Sequence, residues 1–514
     1  MKKFLTILLF AAFSLYGYSQ FAGVIGSTNP VYEEIIDWTY DESNRYINST
    51  TGDDGNSGTH PDSAWETISK VNSYVWTPGD SCRFAGNMIY RGQISNPEDG
   101  SSGNHVVFTI DPYGSEVKPI ITTAIDESST GDWANQGGNL WLNEDANFTG
   151  VNYNVGNLIS NGVSIGYNRA DEADVDDTIG EFFYDTGDDD LLVYCTDNPA
   201  TYWGSVDVAI NSSIVAGGSS DYITYDGLAF NWVGRHGISY NSATNNITIK
   251  NCDFNIIGGS ENYDGAGFQL GNGIEFYVND YTDITVERCL FNEIFDASIT
   301  QQYAAAGLDL NNIYMHGNVF VNVRYALELA WGTDGEIHDL HFNNNTCWRY
   351  DDYVFKPDNR WSHTNWQAGF VTFYDQHNAA NTDVDIYNNI FYYENIPGIY
   401  SSGFRYNFAE LLSHVDVDYN LYYSPDAFEN DHCLGNASGV EKYTLGTWQA
   451  VTTTPDVNGY NSNPDFYNPT TSFRPSVVSD AVDGGVEVTE YTTDYEGVAV
   501  GKPPNIGAIE TTED

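Results

Sequence analysis

The sequence predicts an all-β solenoid, and three observations carry the prediction. A nine-residue pattern returns seven times, from Tyr222-Ile-Thr-Tyr-Asp-Gly-Leu-Ala-Phe230 to His414-Val-Asp-Val-Asp-Tyr-Asn-Leu-Tyr422, with copies opening at Asn246, Asp283, Asn312, Asp339 and Asp383 between them. After its first residue each copy runs apolar–polar–apolar, the alternation of a strand with one buried face. Aligned, the copies also stack like residues in columns. The seventh position reads Leu228, Cys252, Cys289, Asn318, Asn345, Asn389 and Asn420, and the ninth reads Phe230, Phe254, Phe291, Phe320, Cys347, Phe391 and Tyr422.

Short strands repeating at this period bury their apolar face only by stacking coil on coil. The asparagine column has a purpose in such a stack, because side-chain amides hydrogen-bond up and down it inside a sharp bend that would otherwise leave backbone groups unpaired. These columns resemble the right-handed parallel β-helix proteins, a fold of many secreted bacterial polysaccharide lyases and several glycoside hydrolase families. The resemblance covers most of the chain after residue 20 and implies a carbohydrate-active enzyme without deciding between the two reactions.

Taken in order, the chain opens with Lys2-Lys3, an apolar run from Phe4 to Leu15 and then Gly17-Tyr18-Ser19. This is the layout of a signal peptide, assigned to residues 1–20. Its apolar run is too short to span a bilayer comfortably, so the expected protein is soluble and secreted, periplasmic or extracellular. Residues 21–130 form an expected N-terminal cap and the first coils. Within them Ser63 and Glu66 read as a capping box, followed by a helix with Trp65, Ile68, Val71 and Val75 on its apolar face. A strand, a Gly/Asp turn, a capped helix and Pro78-Gly-Asp resemble the opening of many bacterial β-helix enzymes, where the helix would cover the open edge of the first coil.

Residues 131–220 break the repeat. Asn139-Leu-Trp-Leu142, Glu181-Phe-Phe-Tyr-Asp185 and Leu191-Leu-Val-Tyr-Cys195 are hairpin material, read as a β-rich insertion similar to one in some β-helix glycosidases. Residues 221–422 are the regular coils. Their seventh-position column advances by 24, 37, 29, 27, 44 and 31 residues, so the longer coils must throw out loops, chiefly 258–271 and 348–368. Loops projecting from a rigid stack are where binding sites are built. Residues 423–514 supply the last coils and closure, with a short helix near Leu445–Ala450.

A net charge of −53, with 15% aromatic and 41% hydrophobic residues, argues for a folded protein and against nucleic acid or anionic membrane as partners. It suits work in salty water, where self-repulsion is screened. Arg235, Lys250, Arg288, Arg324, Arg349, Lys356, Arg360 and Arg405 all fall in the repeat region. They form either a positive island for carboxylated or sulfated sugar, or scattered ion pairs. Six cysteines in 514 residues make no disulfide framework, and none has metal-ligand spacing.

A second strand family follows the bends, reading Gly237-Ile-Ser-Tyr240, Gly273-Ile-Glu-Phe276, Ser298-Ile-Thr-Gln301 and Ala326-Leu-Glu-Leu329. With Ile and Leu inward, Ser239, Glu275, Thr300 and Glu328 point outward on one face. Glu275 and Glu328 then stand two coils apart, ~9.6 Å between backbones at the usual strand spacing. Inverting glycosidases hold their carboxylates about 6.5–9.5 Å apart. Asp296 lies just before the middle strand, and one member of such a trio is expected to stay protonated as an acid. The blocks around Glu275, Asp296 and Glu328 resemble motifs in bacterial β-helix glycoside hydrolases. These three residues are the candidate catalytic group. Candidate substrate-binding residues are His236, Arg235, Gln301, Arg324, Trp331, Lys356 and Arg360, with Trp348, Trp361 and Trp366 as further aromatic platforms.

The expected activity is hydrolysis of a marine or plant-wall polysaccharide by a monomer that requires no cofactor. Two alternatives stay open: a lyase acting on a uronic-acid polymer, with Arg235, Arg324, Lys356 or Arg360 as base and a possible Ca²⁺, and a non-catalytic glycan-binding surface protein.

Overall fold

The structure is a computed structural model that describes residues 43–112, 114–144, 155–169, 171–185, 187–261, 269–302, 308–330, 336–350, 366–374, 382–393, 399–406, 414–425, 433–435, 441–450, 455–468 and 472–511. The expected signal peptide lies outside them.

The alternating segments of the repeat stack as ten parallel strands, from Asn44–Ile47 to Val415–Asp418, and form the first face of a coil. Their inward positions pair Ile223, Ile247, Ile284, Ile313, Leu340, Val384 and Val415 in register. The second face holds the aromatic column, and the third holds the strand family carrying Glu275 and Glu328. Leu290–Gln302 and Val319–Ala330 run unbroken across the corner between these two faces, joining them into one large sheet. The chain is therefore a right-handed parallel β-helix, with the crossover hand that twisted L-strands favour.

Each bend from the first face to the second is made by one residue in the left-handed region: Gly227, Asn251, Arg288, Gly317, Asn344, Asn388 and Tyr419, with φ between 51° and 71°. Only small or amide residues take this conformation readily, so Arg288 and Tyr419 need outside support. The ladder beside them supplies it. The backbone N–H of Cys289 donates to Oδ1 of Asn318, that of Asn318 to Asn345, that of Asn345 to Asn389, and that of Asn389 to Asn420, all at 2.9–3.0 Å. Each asparagine also donates Nδ2 to a carbonyl of the preceding coil, those of Val286, Met315, Phe342 and Ile386. Asp456 ends the column, accepting from Asn420 and from the Tyr422 hydroxyl at 2.6 Å.

Beside this ladder Phe254, Phe291 and Phe320 stack with centroids 4.7 and 5.0 Å apart and nearly parallel planes. Gly237 and Gly273 leave room for them, since a Cβ at either would lie within about 3 Å of a ladder ring.

Both ends are plugged. The N-terminal helix is Ile68–Ser73, and it buries Ile68 and Val71 with Trp65 and Trp76 over the first coils. Its cap is Thr67 rather than the expected Ser63, because the Asp54 carboxylate accepts from the backbone of Glu66 and Thr67 and from the Thr67 hydroxyl, fixing the start there. Val75 falls beyond the last turn and is 69% exposed, so it is not part of the apolar face. At the other end Trp448, from the helix Leu445–Gln449, stacks on Phe404 and meets Tyr422 edge-on.

The insertion forms two small sheets with strands between Ile125 and Ala209, around a core of its own. It sits against the outer side of the second face, where Trp232, Ile256 and Phe295 meet Ala124, Ile159 and Ala209. Cys82, Cys195, Cys252, Cys289 and Cys347 are buried free thiols.

Candidate active site

On the third face the strands alternate as expected. Ile238, Ile274, Ile299, Leu327, Val371 and Phe404 share one inward position, and the next residue of each strand points out. That outward column reads Ser239, Glu275, Thr300, Glu328, Thr372 and Arg405, paired coil to coil in unbroken register. Glu275 and Glu328 thus lie two strand steps apart with Thr300 between, about 9.6 Å along the stack at ordinary spacing.

Three donors converge on Glu275. The Ser239 hydroxyl donates to Oε2 at 2.8 Å and Asn272 Nδ2 to Oε1 at 3.3 Å. Nε2 of His236 lies 3.3 Å from Oε2, off the line of a full hydrogen bond. The other ring nitrogen, Nδ1, accepts from the backbone N–H of Asn272 at 3.1 Å, which places the ring proton on Nε2, facing the carboxylate. Burial holds the imidazole neutral, pulling its pKa down to about 4 against the opposing pull of Glu275.

Glu328 accepts from the Thr300 hydroxyl at 2.8 Å and from Gln302 Nε2 at 3.0 Å. Burial, with the negative charge of Asp296 next in weight, pushes its pKa up to about 7. Burial thus shifts the balance at Glu328 toward the protonated carboxylic acid.

Asp296 is brought in by an irregularity of the sheet. Ile294 pairs with Val323 and Ala297 with Tyr325, so Phe295 and Asp296 together face the single residue Arg324. This is a β-bulge, and bulges re-aim side chains. Here it turns Phe295 onto the insertion and lets Asp296 meet Arg324 Nη1 at 2.7 Å. Burial raises the Asp296 carboxyl, while Arg324 opposes the rise.

The other candidates separate. Gln301 is not in the groove. Its register partners are Phe276 and Leu329, the inward position, and its Oε1 is buried without a partner. One step along an alternating strand reverses the face, so the outward amide is Gln302. Arg235 precedes His236 and is half-buried beside the site. Trp331, Lys356, Arg360 and Trp361 lie outside the described residues, as does the Trp366 side chain. Trp348 is no sugar platform, because it is buried against Tyr350, Tyr392 and Phe473 where the C-terminal segment docks.

Sequence reasoning missed Asn272, Gln302 and Tyr277. Carrying the alternation two residues past Glu275 and Thr300 would have found the last two, since Tyr277 pairs with Gln302 in the next outward row and stands 42% exposed.

Among the described residues one group has metal-ligand geometry, Asp176, Asp177 and Glu181 in the insertion. Its buried member does not fit a cation. Glu181 Oε1 accepts two guanidinium contacts from Arg169, and Oε2 accepts three backbone N–H groups, from Asp176, Asp177 and Thr178. Both oxygens are filled by donors, so the carboxylate organises a loop.

The fold and this column define the class, a parallel β-helix with a buried carboxylate cluster on its third face. No protein-family model matches the chain, and no curated protein does. Solved structures similar to it include a GH136 lacto-N-biosidase from Eubacterium ramulus, at 14% identity over 74% of this chain and 60% of that one, with a TM-score of 0.41. The chain thus spans about three fifths of that protein's length. A protein described as a glycoside hydrolase is similar at 11% identity over 77% and 94% of the two chains, with a TM-score of 0.49. A pectate lyase is similar at 12% identity over 92% and 98%, with a TM-score of 0.37.

Proposed function

We propose that this protein is a secreted carbohydrate-active enzyme, and specifically a glycoside hydrolase that binds a polysaccharide across the coils of the third face. The observation that carries this reading is the placing of two buried carboxylates, Glu275 and Glu328, two coils apart in one outward register column, where burial favours the protonated form of Glu328. Glu328, raised to about 7 mainly by burial, is the general acid that protonates the leaving oxygen. Glu275, met only by donors, is the base that activates water on the far side of the ring, and the two-coil separation leaves room for that water. Asp296 adds a negative charge near Glu328 that reinforces the effect of burial.

The lyase reading needs a base in its deprotonated form. Arg324 is committed to Asp296 and a guanidinium does not deprotonate in a protein, which leaves that reading to Lys356, outside the described residues. A purely glycan-binding protein would gain nothing from burying three carboxylates, whose desolvation is costly. The net charge of −53 and the N-terminal leader pattern support work outside the cell.

Incubation with a panel of polysaccharides, followed by mass and ultraviolet analysis of the products, tests the proposal. Oligosaccharides carrying an added water support it, and unsaturated products overturn it in favour of a lyase.

A further inference from the structure

In a chain with 72 acidic and 19 basic residues, an arginine has little difficulty finding a partner. Arg91 pairs with Asp207, Arg169 with Glu181, Arg288 with Glu287, Arg324 with Asp296 and Arg474 with Glu496. Arg45 and Arg83 donate to Asn44, and Arg349 donates to the carbonyls of Val323 and Arg324. Among the described arginines Arg235 is the exception. It makes no ion pair or hydrogen bond to any described residue, and its Nε is buried with no acceptor.

Its Nε is sealed from solvent, but Arg235 as a whole is only half-buried, so the outer N–H groups of its guanidinium remain open to an acceptor from outside, and a charged donor left without one is destabilising. The position of Arg235 says where that acceptor enters. Arg235 immediately precedes His236, whose ring touches both Glu275 and the backbone of Asn272, and its positive charge helps hold that ring neutral. The guanidinium therefore lies at the Glu275 end of the groove. One coil on, the chain has Gly271 ahead of Asn272, and the Gly271 carbonyl accepts from the N–H of Asp296. Gly271 is required by close packing, since a Cβ there would lie 2.8 Å from Gly258 and from Phe295, and this position therefore brings no carboxylate to Arg235.

We propose that Arg235 is an anion subsite, taking the carboxylate or sulfate ester of a sugar bound beside Glu275, so that the substrate is an acidic polysaccharide. This rests on the hydrolase reading for its placement next to the reacting bond. A planar guanidinium suits either anion, because its N–H groups match two oxygens at once. A local cation is also what a protein of this net charge needs if it is to hold a polyanion at all.

Two readouts keep the subsite and the hydrolase reading separate. The first is affinity electrophoresis of the whole protein in gels carrying polygalacturonate, a sulfated galactan or neutral xylan, which needs no turnover. The second is release of reducing ends, without the ultraviolet absorbance of an unsaturated product, from the same three polymers. Retardation in an acidic gel that is at least ~10-fold weaker for Arg235→Gln and partly restored in Arg235→Lys supports the subsite, and the gel that retards names the anion. On the retarding polymer Arg235→Gln should raise KM about tenfold or more with kcat changed far less, the loss expected for a charge-assisted contact made in ground and transition state alike. Retardation without cleavage by the wild type would sink the hydrolase reading and leave the subsite standing. Cleavage of xylan alone, or equal retardation of wild type and Arg235→Gln in every gel, overturns the subsite and leaves the hydrolase reading intact.

Discussion

Two histidines, each within reach of a carboxylate, are shifted in opposite directions. On the first face His341 lies 2.8 Å from Asp339 and 3.0 Å from Asp385, under the stacked ring of Tyr314. Its hydrogen bond to Asp385 does most to raise its pKa, to about 9. On the third face His236 lies 3.3 Å from Glu275, and burial brings it down to about 4. The register slips between Ile337 and Leu340 on the first face and is unbroken around Glu275 on the third, yet both histidines are held within reach of a carboxylate. Water makes the difference: Asp339 is half exposed, whereas His236 and Glu275 are sealed. Where solvent can stabilise the partners, a charge pair forms. Where it cannot, the ring stays neutral and a carboxyl such as Glu328 keeps its proton.

The sharpest way to break this comparison is to remove the sealed acid. Glu328→Gln should lower turnover ~10²–10⁴-fold, the usual loss for a general acid, and Glu275→Gln should do likewise, while circular dichroism stays native. Asp385→Asn, on the open face, should leave turnover unchanged. Next in size, Arg324→Met strands Asp296 as a buried unpaired charge, for which a loss of ~3–5 kcal/mol is typical; urea denaturation measures it. Asn345→Ala removes one rung of the internal ladder and should cost about 1–3 kcal/mol for each buried group left unsatisfied.

The pH dependence sharpens the same contrast. Glu328 and Asp456 are both raised to about 7, mainly by burial. Each therefore contributes stability that is full below its unfolded pKa of about 4 and is lost as pH rises through about 7. His341, raised to about 9, contributes stability present below its unfolded value of about 6.5 and lost as pH rises through about 9. The melting temperature should fall from mildly acidic to alkaline pH in two stages. Asp456→Asn should reduce the first to the share that Glu328 leaves. His341→Gln should remove the second, at a cost of ~1 kcal/mol or less because its partners are partly solvated. Activity should decline as Glu328 loses its proton near neutrality.

How much of this was legible in the sequence differs along the same argument. The ladder could be read because a repeated bend demands one residue type, so Asn318, Asn345, Asn389 and Asn420 announce it. The Glu275, Thr300, Glu328 column could be read because alternation fixes which face a side chain takes. The helix cap was misplaced because its determinant, Asp54, lies a dozen residues upstream in a loop with no periodicity. Gln301 was misassigned by one residue, which on a strand means the opposite face. Arg235 was visible as a residue but not as an unpartnered one, since the lack of a partner is a fact about space.

The bulge at Phe295 and Asp296 bears on how a coil stack can evolve chemistry. Side chains on such a stack are placed by a ruler graduated in whole strand spacings, ~4.8 Å each, which is coarse beside the tolerances of catalysis. Neighbouring coils would set two carboxylates closer than an interposed water allows, and three coils would set them too far for one sugar ring. One extra residue inserts a fractional mark between the graduations, letting Asp296 stand where no regular position falls.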